Sequence, residues 1–410
     1  MNPITIGDFY LPETMKDPIT FYKRLREQQE PIIYLDDVYG MGGAWVALNY
    51  DDVAVILKDE RFVKDTRKFV QQQHNNYSSE EQSSTHKMLA RLITMPNMLM
   101  VDPPDHTRLR RLVSKAFTPR MIEDLRPRIQ QITNELLEAV QGKGRMDLIA
   151  DFAYPLPIIV ICEMLGVPAS DRDQFRVWTQ TLMSSALNPN QGEAVLTSLD
   201  QFVQYIKVLL VQKRKNPGHD LTSEMLNAQE QEDSLSEDEL ISTIWLLLIA
   251  GHETTANLIG NGMLALLQHP EQMDMLRKDY SLLPSAVEEM LRYAGPIMLG
   301  SRIAGEDITL NGKRIYKGEM VLVSLAAANL DSQKFIEPDV FNITREENQH
   351  LAFGKGIHHC LGAPLARLEG QIAIGTLLQQ FPHLCLLNDP HELTWTFSKV
   401  RSLASLHVTF

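Results

Sequence analysis

The chain has 410 residues, with 39 Lys+Arg against 52 Asp+Glu and a formal net charge of −13. Hydrophobic residues make up 44% and charged residues 22%, an ordinary globular usage that excludes a largely disordered chain and provides for a sizeable core. The acidic balance argues against a nucleic-acid partner, which requires a basic surface. Cys162, Cys360 and Cys385 are too few and too scattered for a disulfide framework, so a reducing, cytoplasmic setting is expected. The N-terminal residues lack the basic and apolar regions of a signal peptide. The longest strongly apolar run, Ile244 to Gly251, is far short of the about 18 residues that span a bilayer, so no membrane association is expected.

In chain order, Asp17-Pro18 opens an amphipathic stretch through Gln29, followed by strand-like runs at Ile32–Leu35 and Trp45–Leu48. Residues 61–100 are polar and then Met-rich, which reads as a long loop of the kind more often functional than accidental. Helical periodicity covers His106 to Phe117 and Pro119 to Val140, where Gly142 and Gly144 stop it, and returns at 155–166, 170–186 and 191–214. Ser236-Glu237-Asp238-Glu239 is a capping box at the start of an apolar run that reaches Gln268 before Pro270. Its centre, Ile244–Ala250, is apolar on every face and predicts a helix buried all round. Strand-like pattern covers Met298 to Val323 with an Asn311-Gly312 hairpin turn. After a Pro/Asn-rich stretch, one more helix runs to Gln380 and short strands finish the chain. The expectation is a single mainly α domain over residues 1–410 with a smaller β portion.

The segment Phe353-Gly354-Lys355-Gly356-Ile357-His358-His359-Cys360-Leu361-Gly362 is the most informative. It ends where a helix begins, and the amides of a helix N-terminus favour the thiolate form of a nearby cysteine. Two upstream glycines let the backbone turn tightly and approach a flat ligand. Thiolate is one of the few protein ligands that bind heme iron. Zinc is disfavoured because His358-His359-Cys360 lacks the spacing that aims ligands at one point. A dinucleotide loop is disfavoured because the third glycine would fall on His359. Isolated cysteines are usually small buried hydrophobes, the reading that suits Cys162 and Cys385.

This segment resembles the heme-binding loop of the cytochrome P-450 superfamily, Phe-x-x-Gly-x-(Arg/His)-x-Cys-x-Gly, at every fixed position, counted here at Phe353, Gly356, His358, Cys360 and Gly362. The resemblance implies that Cys360 is the proximal iron ligand, that Phe353 packs near its sulfur, and that His358 reaches a heme propionate, with Gly354 and Gly362 part of the heme-binding loop. Four further stretches match in order. His106 and Arg110, at i, i+4 after Asp102-Pro103-Pro104-Asp105, stand at the family's propionate-binding pair. Ala250-Gly251-His252-Glu253-Thr254-Thr255 stands where the family's long helix crosses the distal heme face; Glu253 and Thr254 would hold water and deliver protons to dioxygen. A metalloprotease reading of His252-Glu253 fails because residue 256 is Ala. Glu289 and Arg292 form the family's Glu-x-x-Arg pair and Arg345 its third member, a scaffold triad. Arg302 stands at a strand position that contacts a propionate. One departure is visible: many bacterial members read Ala-Asn-Arg-Asp where this chain has Ala328-Asn329-Leu330-Asp331.

The resemblance implies the cytochrome P-450 fold, heme b (iron protoporphyrin IX) as cofactor, and a monooxygenase that inserts one oxygen atom from O2 into a C–H bond. The implied substrate is an apolar small molecule such as a polyketide or macrolide, fatty acid, steroid or terpenoid. With no Rossmann, flavin or iron–sulfur motif in the chain, electrons must come from outside; the resemblance implies a ferredoxin or flavodoxin served by a separate NAD(P)H-linked reductase, and a monomer is expected. Arg108, Arg110, Arg111, Lys115 and Arg120 lie in an acid-free stretch, and its outward members, with Lys355, are expected to form a basic docking patch for that partner. By family analogy the pocket draws on Met88, Met95, Met98 and Met100, residues near Trp178–Leu187, Ile244, Leu247 and Leu248, Pro296–Leu299, and Thr396–Ser398. Two alternatives remain open: a peroxide-driven peroxygenase, whose members generally lack the acid–alcohol pair, and a heme-binding or sensor protein without turnover.

Overall fold

The computed structural model describes residues 4–28, 30–38, 42–65, 97–115, 117–184, 192–228, 235–396 and 399–410. They group into two compact units, one of Met1–Phe62, Leu125–Leu156 and Thr254–Phe410, the other of Val63–Asp124 and Pro157–Glu253.

In the first unit, short, largely apolar runs build a mixed sheet. Ile32–Leu35 pairs antiparallel with Ala44–Ala47, which runs parallel to Met320–Ser324, itself antiparallel to Leu299–Ala304. A two-residue strand at Phe62–Val63 takes the far edge. Val321 and Val323 pack with Val53, Ile56 and Leu57 of the helix Tyr50–Lys58, and with Phe335 and Leu351, into one core. That helix is absent from the sequence expectation. Its signal is present nonetheless: Asn49 caps it by accepting the Asp52 N–H, and its apolar residues recur at helical spacing. Asn311 and Gly312 both have positive φ, 47° and 74°, the backbone of the expected two-residue hairpin turn between Ile308–Leu310 and Lys313–Ile315.

The stretch expected as one helix from Pro119 to Val140 is two, Pro119–Asp124 and Arg126–Gln141. Pro127 has no N–H to donate and is tolerated only in a first turn, so a new helix starts there. The capping box opens the helix Glu237–Gln268 as expected: Glu239 N–H donates to Ser236 Oγ at 3.2 Å and Ser236 N–H to Glu239 Oε2 at 2.9 Å. At a rise of about 1.5 Å per residue it is about 48 Å long. All-round burial holds only as far as Ile249, with Trp245 half-buried; Ala250 is exposed.

Glu289 and Arg292 are fully buried partners, with Nη2–Oε1 at 2.7 Å and Nε–Oε2 at 2.8 Å. Arg345 Nε joins them at 3.1 Å from Glu289 Oε2. Together the two arginines donate to the carbonyls of Asn329, Ile336, Pro338 and Val340. The triad thereby pins a stretch of irregular backbone that has no ladder of its own. Leu330, the departure from the family pattern, is buried. Arg26, from the helix Pro18–Gln28, brings its guanidinium to the Leu330 carbonyl at 2.6 Å and to that of Ala327.

In the second unit, Phe175, Trp178, Phe202 and Tyr205 of the helices Arg172–Ser184 and Gly192–Lys215 form an edge-to-face cluster. Glu193–Lys215 is long and apolar enough to cross a membrane by length and composition, yet Leu199, Phe202, Ile206, Leu209 and Leu210 are buried as a stripe, the pattern of an amphipathic helix that turns one face to the protein's own core.

Candidate active site

The cysteine loop is built by backbone geometry that its sequence dictates. Gly354 and Gly356 have φ of +68° and +75°, and a Cβ at 356 would lie 2.5 Å from the Leu57 carbonyl oxygen. The positive φ favours glycine at both positions, and at 356 the Leu57 carbonyl leaves no room for a side chain. The loop turns through Gly356–His358, and Cys360 N–H donates to the Phe353 carbonyl at 2.9 Å. Gly362 is the N-cap of the helix Ala363–Gln380. Cys360 therefore stands two residues ahead of the cap, within the field of the helix amides rather than in its first turn. Its side chain is exposed. A Cβ on Gly362 would meet Cys360 Sγ at 3.9 Å, an ordinary contact, so protein packing alone does not demand glycine there.

In the same unit, Arg302 lies buried in the strand Leu299–Ala304 with Nη1 donating to the Ser301 carbonyl at 2.9 Å, and His358 is half-buried on the cysteine loop. On the long helix, Ala250 is exposed while Gly251, Glu253 and Thr254 are partly covered. Burial pushes the Glu253 carboxyl up to about 7. His252 points the other way: it is fully buried, its Nδ1 lies 2.7 Å from the Leu248 carbonyl, and burial pulls it down to about 4. It is neutral, and its ring serves the helix interior. A Cβ on Gly251 would meet Ile161 Cδ1 at 3.2 Å, so close helix packing already explains that glycine. In the second unit, His106 is buried and Arg110 half-buried one turn on, on the helix Asp105–Lys115.

One expectation changes. Arg108 is paired with Glu239, so its charge is engaged within the protein; Arg111 and Lys115 remain exposed. Trp178 belongs to the aromatic cluster with Phe175 and Phe202. Met88, Met95, residues 185–187 and 397–398 lie outside the described residues.

Among the described residues no group of three or more His, Cys, Asp or Glu could hold a metal ion. The donor set is instead a single soft sulfur on an exposed loop, with the buried cation Arg302 in the same unit. One thiolate suits an iron whose other in-plane ligands come from a macrocycle, and Arg302 suits a propionate carboxylate. The residues therefore fit heme. The family model described as cytochrome P450 matches residues 17–401. The chain belongs to the cytochrome P450 family.

This P450 is 62% identical over 410 residues to cytochrome P450 CYP107DY1 of Priestia megaterium, covering 100% of both chains. It is 40% identical over 400 residues, 96% of each chain, to the polyketide biosynthesis cytochrome P450 PksS of Bacillus subtilis. Among solved structures, myxobacterial cytochrome P450 CYP267B1 in complex with myristic acid superposes with a TM-score of 0.89 at 42% identity, covering 99% of each chain. As a cytochrome P450 the chain is a heme monooxygenase that uses O2 and draws NAD(P)H-derived electrons through redox partners.

Proposed function

We propose that this P450 hydroxylates an apolar small molecule of the polyketide or macrolide kind at a C–H bond, with Cys360 as the iron ligand. The observation that carries the ligand assignment is the exposed sulfur of Cys360 on a loop held by the Cys360–Phe353 backbone bond and two left-handed glycines. Heme, when bound, supplies the oxidising chemistry. The chain's own residues would do the rest. His106, Arg110, Arg302 and His358 offer cations or hydrogen-bond donors for the two propionates. Phe353 shields the sulfur, and Gly354 and Gly362 keep side chains away from the macrocycle. Ala250 would give the long helix a small side chain toward the macrocycle, whereas Gly251 is already accounted for by its packing against Ile161. Glu253 holds a proton near neutral pH because burial raises its carboxyl to about 7, and Thr254 beside it can pass that proton on through its hydroxyl.

The substrate class rests on the polyketide-biosynthesis relative; the myristate-bound neighbour makes a fatty acyl chain the second candidate. The family model spans both compact units, which supports reading residues 1–410 as one catalytic domain. A ferredoxin or flavodoxin with its reductase would supply electrons to a monomeric, cytoplasmic enzyme.

The test is turnover of a polyketide, fatty-acid and steroid panel with NADPH, O2 and a ferredoxin–reductase pair. A hydroxylated macrolide or polyketide product that requires the redox partner is expected. Product formed only with hydrogen peroxide would indicate a peroxygenase, and no product with any donor would leave a heme-binding protein without turnover.

A further inference from the structure

Behind the cysteine loop lies a polar network outside the roles proposed above. Glu288, on the helix Leu283–Ala294, accepts from both arms of Arg367, Nε–Oε1 at 2.6 Å and Nη2–Oε2 at 2.8 Å. Its Oε2 also lies 3.1 Å from Nε2 of His350, a side chain only 3% exposed. A bidentate carboxylate fixes the plane of a guanidinium as well as its position. Held in this way, Arg367 sits over the ring of Phe353, its Cζ 4.6 Å from the centroid, well inside cation–π range. The His350 ring is 6.0 Å from the same ring, and its Nδ1 accepts the Ala352 N–H at 3.2 Å. Phe353 is thus held at its face by Arg367 and at its carbonyl by the Cys360 N–H.

We propose that Glu288, Arg367 and His350 position the thiolate loop, clamping Phe353 and setting a fixed positive charge over it, behind the Cys360 loop, that tempers the electron donation of the sulfur to the heme iron. The proposal rests on Cys360 being the iron ligand.

Electrostatics agree with the geometry. Burial works to raise the Glu288 carboxyl, yet its bonds to Arg367 and His350 hold it down to about 2, so the anchor is ionised at any working pH. Arg367 is held above its ordinary value first by the Glu288 bond, with the Cys360 sulfur adding in the same direction against burial. A fixed cation near the sulfur favours the more negative, reduced state of the iron–sulfur unit, so its removal makes reduction harder.

Three holoenzyme variants test the idea. Arg367→Met keeps length and loses charge and fork. Arg367→Lys keeps charge and loses the planar fork. Glu288→Gln keeps the cation and loosens its anchor. The readouts are the ferric/ferrous midpoint potential and the share of the ferrous carbon-monoxide complex that loses its thiolate-type Soret band on mild heating. Arg367→Met is expected to move the potential negative and enlarge that share. Arg367→Lys is expected to restore the potential but not the thermal resistance of the band, and Glu288→Gln to lower that resistance.

A merely structural ion pair would reduce the melting temperature and leave the potential of the correctly ligated fraction in place; that result overturns the proposal. If Arg367→Met does not accumulate, unchanged potential and band stability in the other two variants overturn it equally. A wild-type protein without a thiolate-type band defeats the ligand assignment itself, whereas a normal wild-type band with unmoved variants defeats only the network.

Discussion

Burial acts in opposite directions on two neighbours of the long helix, drawing His252 down to about 4 and pushing Glu253 up to about 7. One group is thereby silenced as a base and the other is poised near neutral pH, where a proton donor is most useful. A general acid is loaded below its pKa, so turnover is expected to fall as pH rises through about 7. Glu253→Gln should remove that limb and lower turnover by about 10²-fold; a pH–rate profile of both proteins checks it. The residues of the cysteine loop are legible in the sequence because they are consecutive, and a local backbone path needs only local residues. The Arg367–Glu288–His350 network is not, because its members lie on separate elements and each alone looks like an ordinary surface charge. His252 also escapes, since its neutral state follows from burial that sequence alone does not reveal.

At the scale of elements, buried charges decide the two sharpest outcomes. Glu289 and Arg292 are fully buried on the helix Leu283–Ala294, so Glu289→Ala leaves a buried cation without its anion. That loss is expected to cost about 3–5 kcal/mol, read as a fall in denaturation midpoint. On the helix Ala363–Gln380, Glu369 is buried and burial pushes its carboxyl up to about 8. The folded state then holds a proton that the unfolded chain releases above about 4.5, so this group's stabilising contribution is lost as pH rises from there through about 8. Glu369→Gln should raise the melting temperature relative to wild type near pH 9 and change it little near pH 5; melting curves at the two pH values compare them. Elements with local punctuation, such as the Ser236 capping box and the Asn311-Gly312 turn, are readable in advance. The helix Tyr50–Lys58 and the break before Pro127 carry local signals as well, the Asn49 cap and the proline ring.

For the whole molecule, 39 Lys+Arg are outnumbered by 52 Asp+Glu, and the charge of Arg108 is engaged by Glu239, so a basic docking patch would have to rest on exposed members of the stretch such as Arg111 and Lys115. The order of motifs along the chain reveals the fold class, whereas the substrate is set by side chains that converge only in three dimensions and carry no spacing rule. Everything proposed for the site depends on the sulfur of Cys360 being bound to heme iron. The most direct measurement is the absorption spectrum of the dithionite-reduced protein under carbon monoxide, taken for the wild type and for Cys360→His. The wild type should show the strongly red-shifted Soret band of thiolate ligation, and the variant should lose that shift. A wild-type band at the position given by histidine-ligated heme, or a red-shifted band that survives in Cys360→His, would contradict the assignment.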